Sequence, residues 1–251
     1  DLMMFGSDFS GAVQVNSTLK GRVDNPTIDL TLSYEGGTLA GDRIGQIHLN
    51  CRLKEKNLNI EDLNLDTPLG KFSVKGDVDF RKAFAEGLLT SDPDLDEIFY
   101  KFYIHQKDLN LANLLPGTSG LKGVTSAEIE LEGKGVYPNT LWAKTAIELY
   151  VNKLLVGEGR SSLNVHVSAR ADMKNGQVAI QNLVSDAGES RFEMNGHYDV
   201  SSHQVAAHFK LKISDLGEVL TSLGINSVSG KTDMTGEVSG ALRGPTLDAR
   251  F

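Results

Sequence analysis

Apolar and polar residues alternate with a period of two along most of this chain, and that alternation points to β-sheet. Ile28, Leu30 and Leu32 share one side against Thr27, Asp29, Thr31 and Ser33. Ile47, Leu49, Cys51 and Leu53 alternate with His48, Asn50 and Arg52, and Val165 and Val167 with His166 and Ser168. Phe192 and Met194 oppose Arg191, Glu193 and Asn195, and Phe209 and Leu211 oppose His208, Lys210 and Lys212. Successive side chains on a strand point to opposite faces, so each segment has one apolar and one wet face, as in antiparallel sheet. Helical spacing is confined to three short segments, 81–88, 110–115 and 214–223. None is long enough to cover a large sheet. The apolar faces must pack on another sheet, curl on themselves or be covered by something else.

The chain also repeats itself. The spacing G-x9-G-x4-P occurs as Gly11, Gly21, Pro26, then as Gly123, Gly133, Pro138, then as Gly230, Gly240, Pro245. A second motif, Ile60, Leu63, Phe72, Val74, Gly76, Val78 and Asp79, recurs 120 residues later as Ile180, Leu183, Phe192, Met194, Gly196, Tyr198 and Asp199. A leucine-rich segment (109–115, then 213–220) precedes each later repeat-opening glycine. The units run 11–122 and 123–229, and 230–251 begins a third. Such units are expected to stack, each leaning on its neighbours. The glycines are expected at bends or bulges between strands, the prolines at edge or turn positions. Residues 81–97 read as an insertion in the first unit. The chain opens at Asp1 and stops inside a third unit, so 1–251 reads as a segment of a longer repeat protein.

Composition removes several classes of function. With 33 acidic against 25 basic residues among 251, the net charge of −8 argues against a nucleic-acid partner. The single cysteine, Cys51, excludes an intramolecular disulfide framework and a multi-cysteine zinc site. It shares the apolar side of its strand and reads as a small core residue. The six histidines form no close-spaced ligand pair, and Asp92, Asp94, Asp96 and Glu97 lack the spacing of a calcium loop. The glycine-rich run 157–160 lacks the Lys-Ser/Thr of a phosphate loop. There is no nucleophile elbow and no uncharged apolar run of membrane-spanning length. No metal, no cofactor and no enzymatic activity are expected.

The stretches GRVDNPTIDLTL, LNIEDLNLDTPLGKFSVKGDVDF, GKGVYPNTL, VAIQNLVSDAGESRFEMNGHYDV and LRGPTLDARF resemble the AsmA/TamB superfamily of bacterial envelope proteins, most of all the repeated middle of TamB-like proteins. The resemblance covers nearly the whole chain and lies in spacing and hydrophobic type. It implies an elongated, curled antiparallel sheet, a β-taco whose aliphatic groove faces inward. It implies a periplasmic protein, anchored to the inner membrane by a segment outside 1–251. It also implies carriage of phospholipid between the two membranes, or assistance to outer-membrane protein assembly, with an Omp85-class outer-membrane barrel and neighbouring repeats of the same chain as partners.

The residues support a groove on their own terms. The apolar face is mostly aliphatic and suits acyl chains, which need area and no directional contacts; each buried methylene is worth about 0.8 kcal/mol. The expected lining is Val13, Val15, Ile28, Leu30, Leu32, Ile47, Leu49, Leu53, Ile60, Phe72, Val74, Val78, Ile129, Leu131, Val165, Val167, Ile180, Phe192, Met194, Phe209 and Leu211. About 14 strands at ~4.8 Å spacing would give a trough roughly 65 Å long. Two other architectures share the alternation: an outer-membrane β-barrel with its apolar face outward, and an array of β-sandwich modules in a structural role.

Overall fold

A computed structural model describes residues 11–39, 42–67, 70–114, 122–155, 162–217, 221 and 229–251. They form one antiparallel sheet of fourteen strands in strict sequence order. The first unit contributes β1 (Ala12–Arg22), β2 (Asn25–Leu39), β3 (Asp42–Lys54), β4 (Asn57–Thr67), β5 (Gly70–Asp79) and β6 (Phe99–Asn110), closed by the single-turn helix α1 (Leu111–Leu114). The second contributes β7 (Lys122–Lys134), β8 (Trp142–Leu155), β9 (Leu163–Lys174), β10 (Gln177–Ala187), β11 (Ser190–Asp199) and β12 (Gln204–Ile213), followed by helical residues Leu216, Gly217 and Thr221. The rest of the helix expected over 214–223 lies outside the described residues. Then come β13 (Thr232–Ala241) and β14 (Thr246–Arg250).

The sheet is elongated, curled and open, with β1 and β14 as its free edges. Strands pack appreciably only on their sequence neighbours, and α1 packs on β7. No second sheet faces the first among the described residues. This excludes the sandwich array as the fold of this segment, and the sheet does not close on itself as a barrel does. The exposed area is correspondingly large. The chain presents 16087 Å² to solvent, against about 11,000 Å² for a compact monomer of its mass.

The repeated Ile-x2-Leu motif has a structural meaning. The ladder slips between Ile60 and Leu63 in β4, and between Ile180 and Leu183 in β10. Each slip is a mid-strand β-bulge, which bends its strand and increases local twist. Opposite the bulges stand Gly76, paired with Ile60, and Gly196, paired with Ile180. A Cβ on Gly76 would lie 2.3 Å from the Lys101 carbonyl oxygen; on Gly196 it would lie 2.5 Å from that of Ala206. Bulge and glycine together kink the sheet at the same place in both units.

These glycines correct the expectation that all repeat glycines lie between strands. Gly76, Gly133 and Gly196 lie within strands. Gly133 is overlain by the Tyr100 ring, whose atoms would come within 2.5 Å of a Cβ there. The openers Gly11, Gly123 and Gly230 sit at strand starts with φ of 124°, 152° and 137°. Tyr34 lies over Gly11, Leu111 over Gly123 and Leu216 over Gly230. Gly21 and Gly240 end their strands next to tight turns. Pro26 is inside β2, an interior strand, two residues beyond its turn and paired with Gly21. Pro138 and Pro245 lie outside strands, as expected.

The segment 81–88 is not a helix. It makes hydrogen-bonded turns, with Phe84 N–H donating to Phe80 and Gly87 N–H to Phe84. Gly87 then leaves helical space at φ 144°. The insertion runs along one rim of the sheet as a strap. Leu88 N–H donates to Asp24 at the β1–β2 turn, Lys56 Nζ donates to the carbonyls of Phe84 and Ala85, and Lys134 Nζ reaches Glu97 at 2.6 Å. Asp94 caps a 3₁₀ turn, and Asp96 accepts from Thr140. Asp94, Asp96 and Glu97 are thus committed to holding the strap.

Ion pairs on the wet face and along the strap rim set the acid limit of the fold. Arg22 holds the Asp24 carboxyl below its ordinary range, Arg52 does so for Asp29, Arg81 for Asp79, Lys134 for Glu97 and Arg191 for Glu193. Groups with depressed folded pKa values stabilise the fold above the unfolded value and lose that contribution as pH falls through the folded one. The melting temperature is therefore expected to be level from neutral pH to about 5 and to fall below ~4. Melting followed by circular dichroism across pH checks it; a melting temperature that rises on acidification below ~4 contradicts it.

Candidate functional site

The pairing register places every expected lining residue on one face of the sheet. Val13 and Val15 of β1 oppose Tyr34 and Leu32, and Ile28, Leu30 and Leu32 oppose Leu53, Cys51 and Leu49. Ile47 pairs with Leu65, Cys51 with Ile60, and Phe72, Val74 and Val78 with Leu65, Leu63 and Leu58. Ile129 and Leu131 meet Ile104 and Phe102. Val165 and Val167 meet Val151 and Leu149 of β8. Ile180 pairs with Gly196, and Phe192 and Met194 with Leu211 and Phe209.

Along the middle of this face runs an unbroken apolar row. Val15, Leu32, Leu49, Leu63, Val74, Ile104, Ile129, Ile147, Ala169, Leu183, Met194, Phe209, Gly236 and Ala249 stand opposite one another in succession, one from each strand. At ~4.8 Å per strand the row is about 60 Å long. Polar residues enter only the flanking rows, as Ser17, Thr145, Ser185 and Gln106. Gln106 is buried and satisfied locally: its Nε2 donates to the Thr125 carbonyl, and Thr125 Oγ1 donates to its Oε1.

No layer lies over this row among the described residues, yet most of its side chains are half-buried. They screen one another laterally, as they do on the inner side of a curled sheet. Exposure rises at both ends of the trough: Val15 is 53% exposed in β1 and Leu247 62% in β14. Among the described residues the buried apolar ones are few. Tyr34, Leu109, Val151 and Leu163 lie toward one rim, and Ala83 and Ile98 lie in and beside the strap on the other. Cys51 faces the trough, and burial pushes its thiol above the ordinary range, which keeps it protonated.

The opposite face carries the charges. His48 lies near Asp62, His105 near Glu128 at 3.5 Å, His166 near Glu148 at 2.7 Å and His208 near Glu237 at 3.2 Å. These are cross-strand pairs, each with one carboxylate. Among the described residues no three His, Cys, Asp or Glu side chains come together as a metal cage, and no helix is long and apolar enough to cross a membrane. The run 157–160 lies outside the described residues.

Two strands of the trough escaped the sequence pattern. In β6 aromatics occupy both faces: Tyr100 and Phe102 point into the trough, whereas Phe99 and Tyr103 are exposed on the wet side. In β8 the inward set Ala143, Thr145, Ile147, Leu149 is diluted by small and polar residues. Leu63 and Leu183 lie beyond the bulges, where the period of two slips by one. The Ile-x2-Leu spacing was the signal for both.

No protein-family model matches this chain, and neither a curated protein nor a solved structure does. The site therefore rests on its own geometry.

Proposed function

We propose that the open apolar face is a trough for the acyl chains of phospholipids. The chain would carry them along the cell envelope between inner and outer membranes, in the manner that its resemblance to the AsmA/TamB superfamily implies. One observation carries this reading: an uninterrupted apolar row crosses all fourteen strands and no part of the described chain covers it. An exposed apolar surface of that extent marks an interaction site. Its aliphatic make-up fits a flexible hydrocarbon better than a partner with directional contacts. The roles of the lining residues are passive, each supplying apolar area at about 25 cal/mol per Å².

A periplasmic location, an anchor outside this segment, an Omp85-class partner and a part in outer-membrane protein assembly belong to the same reading. The test is organic extraction and mass spectrometry of the chain purified without detergent. Phospholipid is expected to co-purify in near-stoichiometric amount. A stable, lipid-free chain would overturn the proposal and favour a scaffold whose apolar face is covered by protein.

A further inference from the structure

The two units place a pair of cations at the same point of the same rim. Lys71, second residue of β5, stands directly opposite Lys107 of β6; 120 residues later Arg191, second residue of β11, stands directly opposite Lys212, the penultimate residue of β12. Like charges directly opposite each other weaken a strand pair. Here the arrangement recurs with the cation types changed. The neighbouring acid recurs as well: Asp66 lies 3.7 Å from Lys71, and Asp186 lies 3.0 Å from Arg191. The fifth-strand cation is thus offset in both units, while Lys107 and Lys212 form no ion pair among the described residues.

The position is as informative as the charge. Lys71 and Arg191 are adjacent in sequence to Phe72 and Phe192, which point into the trough from the other face. Lys71 and Arg191 therefore stand at the lip on the wet face, one residue from the strand start, with the hydrocarbon-facing wall on the other side of the sheet. In the first unit Lys71 and Lys107 border a depression of about 660 Å³ that Asp66, Ser73 and His105 also line, and the buried Nε2 of His105 has no hydrogen-bond partner among the described residues. In the second unit Arg191 is also engaged by Glu193 at 2.6 Å, which leaves less positive charge.

We propose that each lip is a binding site for a phosphate oxyanion, the first-unit site of Lys71 and Lys107 being the stronger. The oxyanion is the headgroup phosphate of a lipid whose acyl chains lie in the trough, or a free phosphate. The first source rests on the trough reading. Long lysine side chains reach over the strand end, and charge-assisted hydrogen bonds to phosphate are among the strongest available at a surface. With the sites six strand spacings apart, lipids would be held about 29 Å apart.

The test uses the 251-residue chain and phosphatidylcholine vesicles doped with either phosphatidic acid or diacylglycerol, which differ by the phosphate alone. Lipid retained by the chain after the vesicles are removed is quantified. The parent chain is expected to prefer phosphatidic acid by about tenfold. The double variant K71Q/K107Q should lose most of that preference while retaining diacylglycerol as before, and R191Q/K212Q should lose less. Each double variant relieves opposed like charges but also removes an ion pair, of Lys71 with Asp66 or of Arg191 with Asp186 and Glu193, so circular dichroism accompanies the assay and retention is compared between folded chains. An unchanged preference in K71Q/K107Q overturns a lipid-headgroup site. If the parent chain retains neither lipid, the trough reading fails, and inorganic phosphate decides the lip. Phosphate-dependent shifts of the Lys71 and Lys107 amides in nuclear magnetic resonance spectra, lost in K71Q/K107Q, support a site for free phosphate. Their absence overturns the proposal.

Discussion

Leu49→Asp should remove lipid from the trough without unfolding the chain. Leu49 stands in the middle row between Leu32 and Leu63. Because no layer of the described residues covers that row, a carboxylate there stays hydrated while the trough is empty, and the sheet tolerates it. A bound acyl chain changes the balance. It would have to strip water from the charge, at a cost of several kcal/mol, and each methylene returns only about 0.8 kcal/mol. Retention of lipid is expected to fall at least tenfold. Val167→Asp, in a flanking row of the second unit, should act in the same direction. Ser33→Asp is the control, since it adds the same charge on the wet face beside His48 and should leave lipid retention unchanged. Mass spectrometry of co-purified lipid measures all three, with circular dichroism reporting the fold. Equal lipid content in Leu49→Asp and the parent chain would mean that hydrocarbon does not occupy this row.

Gly76→Val should be the most damaging substitution for folding. Its Cβ would meet the Lys101 carbonyl oxygen at 2.3 Å, the Phe102 ring at 2.5 Å and the Phe102 Cα at 3.1 Å. Two of those three atoms are backbone, so no rotamer change relieves the clash. Strands β5 and β6 must part or the bulge in β4 must be lost. Overpacking of this kind costs about 1–3 kcal/mol, more where backbone must move. A large share of a domain's net stability of 5–15 kcal/mol is therefore at stake. Gly196→Val repeats the situation against Ala206 and Ala207 and should cost about as much. Gly244→Ala, with nothing within 4 Å of its Cβ, should be neutral. Because each strand packs on its neighbours alone, the damage should stay in the unit that carries it. Limited proteolysis should cut Gly76→Val within β4–β6 and Gly196→Val within β10–β12. Melting temperatures within a degree or two of the parent chain would show that the sheet is not kinked at these glycines.

Much of this architecture was legible in the residues. A period of two assigns each side chain to a face, because strand geometry leaves no other choice. All the expected lining residues, from Val13 to Leu211, accordingly share one face. Strands β1 to β6 and β7 to β12 follow the first two occurrences of the glycine–proline spacing in turn. Failures came where the local rule breaks. The bulge at Glu61 and its counterpart at Gln181 shift the period, so Leu63 and Leu183 fell out of the pattern although the Ile-x2-Leu spacing announced them. In β6, aromatics on both faces hide which side is inward. The segment 81–88 has helical spacing, but its backbone is drawn out by the rim contacts of Leu88 and Lys56.

By itself, then, the sequence determined the all-β class and which side chains of most strands share a face. Strand order and the uncovered state of the apolar face were decided by tertiary structure alone. Alternation records that a face avoids water; a sandwich, a barrel and an open trough all satisfy it equally. What separates them is whether a second layer, the first strand or nothing returns to cover that face. That depends on contacts between residues far apart in the chain, set here by the bulges and glycines that curl the sheet and by a meander that never brings β14 back to β1.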